Sequence, residues 1–360
     1  MPHNKKIIYV KPANSSFIVT DQKILEKYFD VIPFLVRQSA GKWQYFKDLF
    51  TLFLFLVKKA PGSRAFVCWF GDYHTAVMVF AARLFRKPTI VIAGGQEAIC
   101  YKELGKGVYR KKIRGFCVKY ALRNASLILP NHQSLIYHEN HFYNEYNPHI
   151  DGIRHYAKNL KGNIIVVPNG IDSTRIDRRP DIPKDQNLVL TVGTMNMTAD
   201  FYNKGFDLFV ELARLNPRRQ FVMIGVKKQF LSWIESNFRV AEISNLKIIP
   251  SFCPDDVLTE YYNKASVYLQ VSITEGMPVS LGEAMLCECV PVGSNVNGIP
   301  DAIGKTGLLV YKREINELNQ VLQQAFNMKT GRDARVRILE QYTTGIRESR
   351  LIAAINSVIN

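Results

Sequence analysis

The stretch Ala265–Met285, ASVYLQVSITEGMPVSLGEAM, reads as a strand, a loop and the opening of a helix. ASVYLQV has the composition of a buried strand, Gly276 and Pro278 punctuate the loop, and Leu281, Ala284 and Met285 recur at helical spacing. A loop that feeds a helix N-terminus offers unpaired backbone N–H groups and a partial positive charge, which suits a diphosphate or the hydroxyls of a sugar. Glu275 in the loop and Glu283 in the first helical turns are acceptors only when ionised, so both are suited to hydrogen bonds from vicinal hydroxyls. This reading gives Glu275 to a sugar and Glu283 to a ribose.

The same strand-to-helix alternation extends outward on both sides. KIIYV, AFVCWF, TIVIAGG, SLILP and NIIVVPNG read as strands in the first half, and LVLTVG, RQFVMIG, LKIIP, CVPVGS and GLLV join ASVYLQV in the second. Helix-length segments such as FDLFVELARL separate them, so βαβ patterning occurs twice. The polar, proline-containing stretch 173–187 lacks periodicity and is expected to be a linker. The expected architecture is α/β: two doubly wound Rossmann-like domains, 1–172 and 188–345, facing each other across a cleft. A closing helix over 346–360 is expected to pack back on the first domain. Ligands of such sheets sit at the carboxyl ends of the strands.

A chain of 360 residues with 47% hydrophobic content exceeds one ordinary core and fits two. It contains no run of 18 apolar residues, and its first residues, MPHNKKIIYV, lead straight into a strand, so a cytoplasmic location is expected. The six cysteines are scattered without a Cys-x-x-Cys pair, as expected of reduced, buried thiols. Charge is one-sided: residues 1–180 hold 28 Lys and Arg against 12 Asp and Glu, whereas residues 181–360 hold 19 of each. Such a basic half fits an anionic substrate, an anionic membrane face or nucleic acid. No helix-turn-helix or RNA-stacking motif supports the last of these.

The segment from Ala265 to Val310, with seven residues between its two glutamates, resembles the glycosyltransferase family 4 group of retaining, nucleotide-sugar-dependent enzymes with the GT-B fold. VVPNGID (Val166–Asp172), LTVGTMN and NKGFDLFVELA extend the resemblance. It implies that Lys204 neutralises the donor phosphates, that the Gly193 backbone approaches them, and that Gly276, Met277, Pro278 and Val279 line the donor beside Glu275 and Glu283. Members commonly place arginine directly after the glycine, where this chain has Thr194. The nucleobase is expected near the loops after RQFVMIG and LKIIP, the second of which carries Ser251 and Phe252. Glu275, Lys204 and His74 are the expected catalytic residues. The resemblance also implies hexosyl transfer with retention, the departing phosphate helping to deprotonate the acceptor. No Asp-x-Asp occurs, so neither a metal nor a cofactor beyond the nucleotide sugar is expected.

The first domain is expected to bind a glycan or lipid-linked acceptor of surface polysaccharide or glycolipid assembly. Candidate contacts are Ser15, Ser16, Gly94, Gly95 and Gln96, all just after strands, and His74, one turn into the next helix, for which a helix-cap role is the alternative. Two segments bear on a membrane. DLFTLFLFLV, flanked by Lys47, Lys58 and Lys59, is too short to span a bilayer; it fits a membrane interface or, the preferred reading, a buried helix. RKKIRGFCVKYALR (Arg110–Arg123) reads as a helix with apolar residues inward and cations outward, suited to peripheral docking at the inner membrane face. Alternative functions are a GT-B phosphorylase, a sugar-nucleotide epimerase or a non-catalytic basic protein that binds nucleic acid.

Overall fold

The computed structural model describes residues 5–37, 41–250 and 253–359. The chain divides into two compact units, one of residues 1–138, 150–170 and 344–360, the other of 139–149 and 171–343.

The first unit opens with β1 (Lys6–Lys11), β2 (Asp30–Leu35), β3 (Ala65–Trp69), β4 (Thr89–Ala93) and β5 (Leu127–Pro130); β6 (His138–Asn140) and β7 (His149–Asp151) follow in the chain, residues 139–149 being counted with the second unit. β8 (Asn163–Ile164) completes a sheet ordered β2-β1-β3-β4-β5-β8 among the described residues. Every pair in it is parallel. β3, β4 and β5 are buried along their whole length, as strands covered on both faces must be. The covering helices include α1 (Ser16–Glu26), α2 (Lys42–Lys59), α3 (Tyr73–Leu84) and α4 (Lys112–Asn124). The final helix, Thr344–Ile359, also belongs to this unit and places Leu351, Ile355 and Ile359 in one core with Ile7, Tyr9 and Trp69. Strand β2 escapes the sequence reading because Pro33 interrupts its pattern. The proline is tolerated because β2 lies at the sheet edge.

The second unit carries β9 (Asp185–Val192), β10 (Gln220–Val226), β11 (Leu246–Pro250), β12 (Ala265–Gln270), β13 (Val290–Ser294) and β14 (Leu308–Val310). They form a parallel sheet ordered β11-β10-β9-β12-β13-β14. Strand order reverses between β9 and β12, and in an open α/β sheet that is where a crevice forms for ligand. Phe142, carried by the excursion 139–149, is buried in this unit's core, and Asn140 Nδ2 donates to Ile273 O at 2.7 Å.

The stretch 173–187 is not a linker. Ile176 is fully buried in the second core, Lys184 Nζ donates to Ala265 O at 2.8 Å, and Arg178 Nη1 donates to Asn263 Oδ1 at 3.0 Å. Arg175, Asp177, Arg178 and Lys184 are engaged by carbonyls and side chains of the second unit, and β9 already begins at Asp185. Polarity alone reads as linker because the partners are distant in sequence. Among the described residues, no helix is long and apolar enough to cross a membrane.

Candidate active site

The loops after β9 and β12 flank the strand-order reversal of the second sheet. Gly193 follows β9, and its N–H donates to Ile224 O at 3.0 Å, which draws it against the end of β10. A Cβ on Gly193 would lie 3.5 Å from the Lys204 stem, so the glycine backbone and the lysine share one side of the loop. Lys204 itself is fixed by the residue after it. Gly205 has φ +71, and a Cβ there would collide with the Val271 carbonyl at the end of β12. Only glycine meets both conditions without strain, and the lysine is thereby carried to the loop beyond β12.

There Lys204 Nζ donates to Glu275 Oε2 at 2.5 Å, both side chains being 21% exposed. The glutamate loop is held from behind. Glu275 N donates to Asn297 Oδ1 at 3.0 Å, and Gly298 N donates to Gly276 O at 3.0 Å. Asn297 has φ +49 and is buried. Gly276, Met277 and Pro278 are buried, and the helix Val279–Leu286 begins with no side-chain cap. Its first N–H groups therefore have no partner within the helix or from a capping side chain.

Glu283 is placed differently from Glu275. It is 5% exposed, accepts from Tyr262 Oη at 3.0 Å and pairs with Arg175, which also reaches Asp255 at 2.5 Å. Sequence reasoning gives no role to Arg175, since it lies in the expected linker, or to Asn297. The only signal for Asn297 is the turn-forming Asn-Gly dipeptide. Thr194 is exposed just after Gly193, and Lys227 Nζ donates to Asn196 Oδ1 at 2.6 Å, which brings the loops after β9 and β10 together. Ser251 and Phe252 lie outside the described residues. Among those described, no group of three or more His, Cys, Asp or Glu side chains is arranged to hold a metal ion.

In the first unit the strand order reverses between β1 and β3, and Ser15 and Ser16 sit after β1 at the start of α1. Ser16 is exposed and Ser15 partly so. Gly94, Gly95 and Gln96 come after β4. A Cβ on Gly94 would collide with the Phe70 ring, Gly95 has φ +138, and exposed Gln96 accepts from Gly107 N at 3.0 Å. His74 is corrected by the structure. The N-cap of α3 is Asp72, which forms a capping box with Thr75 and pairs with Arg114 at 2.6 Å. His74 is fully buried, its Nε2 lies 3.0 Å from Trp69 O, and burial pushes its imidazole below the ordinary range. An imidazole closed off from solvent and bound to a carbonyl is an anchor of the α3 start, so His74 is not carried forward as a catalytic group.

Glu97, beside Gln96, receives no role from the sequence. Its Oε1 accepts from Gly94 N at 2.5 Å and from Gly95 N at 3.4 Å, so the carboxyl shapes the loop after β4 from below. Burial pushes its pKa up to about 7, against 4.5 when free. The folded chain thus keeps a proton that the unfolded chain releases near pH 4.5, and this contribution to stability is lost as pH rises through 7. Its full size is up to about 3 kcal/mol. Glu97→Gln should remove part of the fall in stability between pH 5 and pH 8, as measured by urea unfolding at each pH. An unchanged pH slope would show that Glu97 ionises normally.

Residues 172–341 match the family model described as glycosyl transferases group 1. The chain is 26% identical over 112 residues, 30% of its length, to the serotype-specific mannosyltransferase WbdA of Escherichia coli, of which it covers 14%. It is 23% identical over 175 residues, 47% of its length, to a human protein of the phosphatidylinositol N-acetylglucosaminyltransferase, of which it covers 34%. The chain thus spans no more than about a third of these relatives' own lengths. Among solved structures, sucrose-phosphate synthase of Thermosynechococcus elongatus superposes with a TM-score of 0.75 at 14% identity, covering 98% of both chains. The Anabaena protein HepE, in complex with UDP-glucose, superposes with a TM-score of 0.71 at 14% identity, covering 98% of this chain and 99% of its own.

Proposed function

Since residues 172–341 match the family model of the group 1 glycosyl transferases, we propose that the chain transfers a hexosyl group from a nucleoside-diphosphate sugar to a glycan or lipid-linked acceptor, with retention and without a metal. The observation that carries this reading is the Lys204–Glu275 pair, set beside Gly193 and in the loop that feeds an uncapped helix N-terminus, where the strand order reverses. A diphosphate needs fixed positive charge and N–H donors. A sugar ring needs acceptors for its hydroxyls. The pair supplies one of each at 2.5 Å.

In this reading the bond between the anomeric carbon and the leaving phosphate oxygen breaks first, and negative charge accumulates on the diphosphate. Lys204 and the N–H groups at Val279 and Ser280 stabilise that charge more in the transition state than in the ground state, which is the condition for acceleration. The acceptor oxygen bonds to the anomeric carbon on the face the diphosphate leaves, and its proton passes to the departing phosphate. No enzymic nucleophile is required, unlike in the two-carboxylate hydrolases. Glu275 orients the sugar, and Glu283, held by Arg175 and Tyr262, serves the ribose with its remaining lone pairs. Thr194 supplies no charge where an arginine is common, so Lys204 bears the cationic role. Ser15, Ser16, Gly94, Gly95 and Gln96 are the acceptor-side candidates. Relatives that are mannosyl and N-acetylglucosaminyl transferases support a hexosyl donor, and a pathway of surface polysaccharide or glycolipid assembly fits such acceptors.

A thermal-unfolding panel of nucleotide sugars tests the donor site. One preferred donor should stabilise the protein by about 2.7 kcal/mol at a hundred times its Kd, and nucleoside diphosphate alone should stabilise it less. If no nucleotide sugar raises the melting temperature, the donor assignment fails.

A further inference from the structure

Helix α2 is apolar on both sides. Leu52 and Leu56 turn inward and are fully buried, whereas Trp43, Phe46, Phe50 and Leu54 are 84, 64, 65 and 52% exposed. The spacing i, i+3, i+7, i+11 puts these four on one outward stripe. Helix α4 repeats the arrangement, with Val118 and Leu122 buried and Ile113 and Phe116 73 and 72% exposed. The sequence pattern turns the apolar residues of α4 inward; in the structure Phe116 faces out. An open, apolar groove of about 480 Å³ lies among Phe46, Phe50, Phe80, Phe116 and Tyr120, so α2, α3 and α4 present one continuous surface. Scattered exposed hydrophobics are ordinary, but a contiguous aromatic patch marks a site of interaction.

The charge around this patch narrows what covers it. Between Lys42 and Arg123 the chain carries 16 Lys and Arg against four acids, Asp48, Asp72, Glu97 and Glu103. Three of the four are buried, and of these Asp48 pairs with Arg37 at 3.0 Å and Asp72 with Arg114 at 2.6 Å. Lys42, Lys47, Lys58 and Lys59 on α2 and Lys111 and Lys112 at the start of α4 are exposed beside the aromatic stripe. A second copy of the chain would bring the same cations face to face. An anionic bilayer offers an apolar interior beneath a layer of negative headgroups, complementary to both features at once.

We propose that the outward face of α2, α3 and α4 docks the first unit on an anionic lipid bilayer, the aromatic stripe entering the interface and the surrounding cations lying over the headgroups. The docking is independent of the donor chemistry of the second unit. It gives the basic half of the chain a physical role that a small anionic substrate does not require.

The test is sedimentation of the full chain with vesicles rich in phosphatidylserine and with vesicles of phosphatidylcholine alone. Retention is expected on the anionic vesicles only, with release by salt, and Trp43 emission should shift to the blue on binding. Phe50→Ser/Phe116→Ser should weaken partitioning about tenfold or more, and each of Lys111→Gln and Lys112→Gln about fivefold. Unchanged melting temperatures in these exposed variants show that the fold is kept, and a blue shift lost in Trp43→Phe identifies the reporter without perturbing charge. No retention of the wild type on anionic vesicles at low salt overturns the proposal. So does equal retention of wild type and the double phenylalanine variant, or a dimer in solution that this variant dissolves while vesicle binding is absent.

Discussion

Lys204→Ala is expected to lower kcat by about a hundredfold to a thousandfold, the cost of removing one group aimed at developing charge. The fold should barely notice. Among the described residues Lys204 pairs with Glu275, and both side chains are 21% exposed. Pairs of that kind contribute about 1 kcal/mol or less, whereas the transition-state loss corresponds to about 3–4 kcal/mol. The comparison separates a catalytic cation from a structural one: activity collapses while the melting temperature moves little. Lys204→Arg should recover only part of the rate, since a guanidinium does not reproduce a compact ammonium charge at this position. Steady-state kinetics beside thermal unfolding read both quantities. A variant that melts several degrees lower yet keeps its rate would place Lys204 in the framework, not the chemistry.

The largest effect on stability is expected far from that site, at Arg347 on the final helix. Its guanidinium lies against the Asp21 carboxylate through Nε at 2.5 Å and Nη2 at 2.6 Å, with side chains 2 and 0% exposed. Trp69 Nε1 donates to the same carboxylate at 2.9 Å, and Arg347 Nη1 donates to Val167 O at 2.9 Å and Pro168 O at 2.7 Å. Arg347→Ala strands a buried carboxylate and two carbonyls, and should cost about 3–5 kcal/mol. That is a large part of the stability of an ordinary domain. Removing both charges in Asp21→Asn/Arg347→Met should cost less than Arg347→Ala alone, because the penalty comes from leaving one ion unpaired. Urea unfolding of the two variants beside the wild type checks the order. Equal losses would mean that the pair is worth only its packing.

Much of the second unit was legible because its signals are local. The strand, the loop with Gly276 and Pro278 and the helix around Ala284 succeed one another in a single stretch, and the strand-end position of Gly193 comes from β9 alone. The resemblance assigns Lys204 and Glu275 to one donor, but their direct pairing across 71 residues is encoded by no periodicity. Asn297 and Arg175 were not legible. Asn297 supports Glu275 only because β13 lies next to β12, and Arg175 meets Glu283 only because 171–184 folds against the second sheet. Both depend on contacts that sequence spacing does not encode. His74 misled because a histidine after a strand reads as a functional group, whereas the neighbouring Asp72 takes the cap and the imidazole turns inside. Helix α2 misled in the opposite way. A helix apolar all round reads as buried, and here half of it faces out.

The most direct measurement of the central claim is NMR of a reaction containing the protein, its preferred nucleotide sugar and a candidate acceptor. Free nucleoside diphosphate should appear together with a new glycoside whose anomeric configuration matches that of the donor, and Lys204→Ala should suppress both signals. A donor that rearranges without transfer, a product of inverted configuration, or transfer undiminished by Lys204→Ala would contradict it.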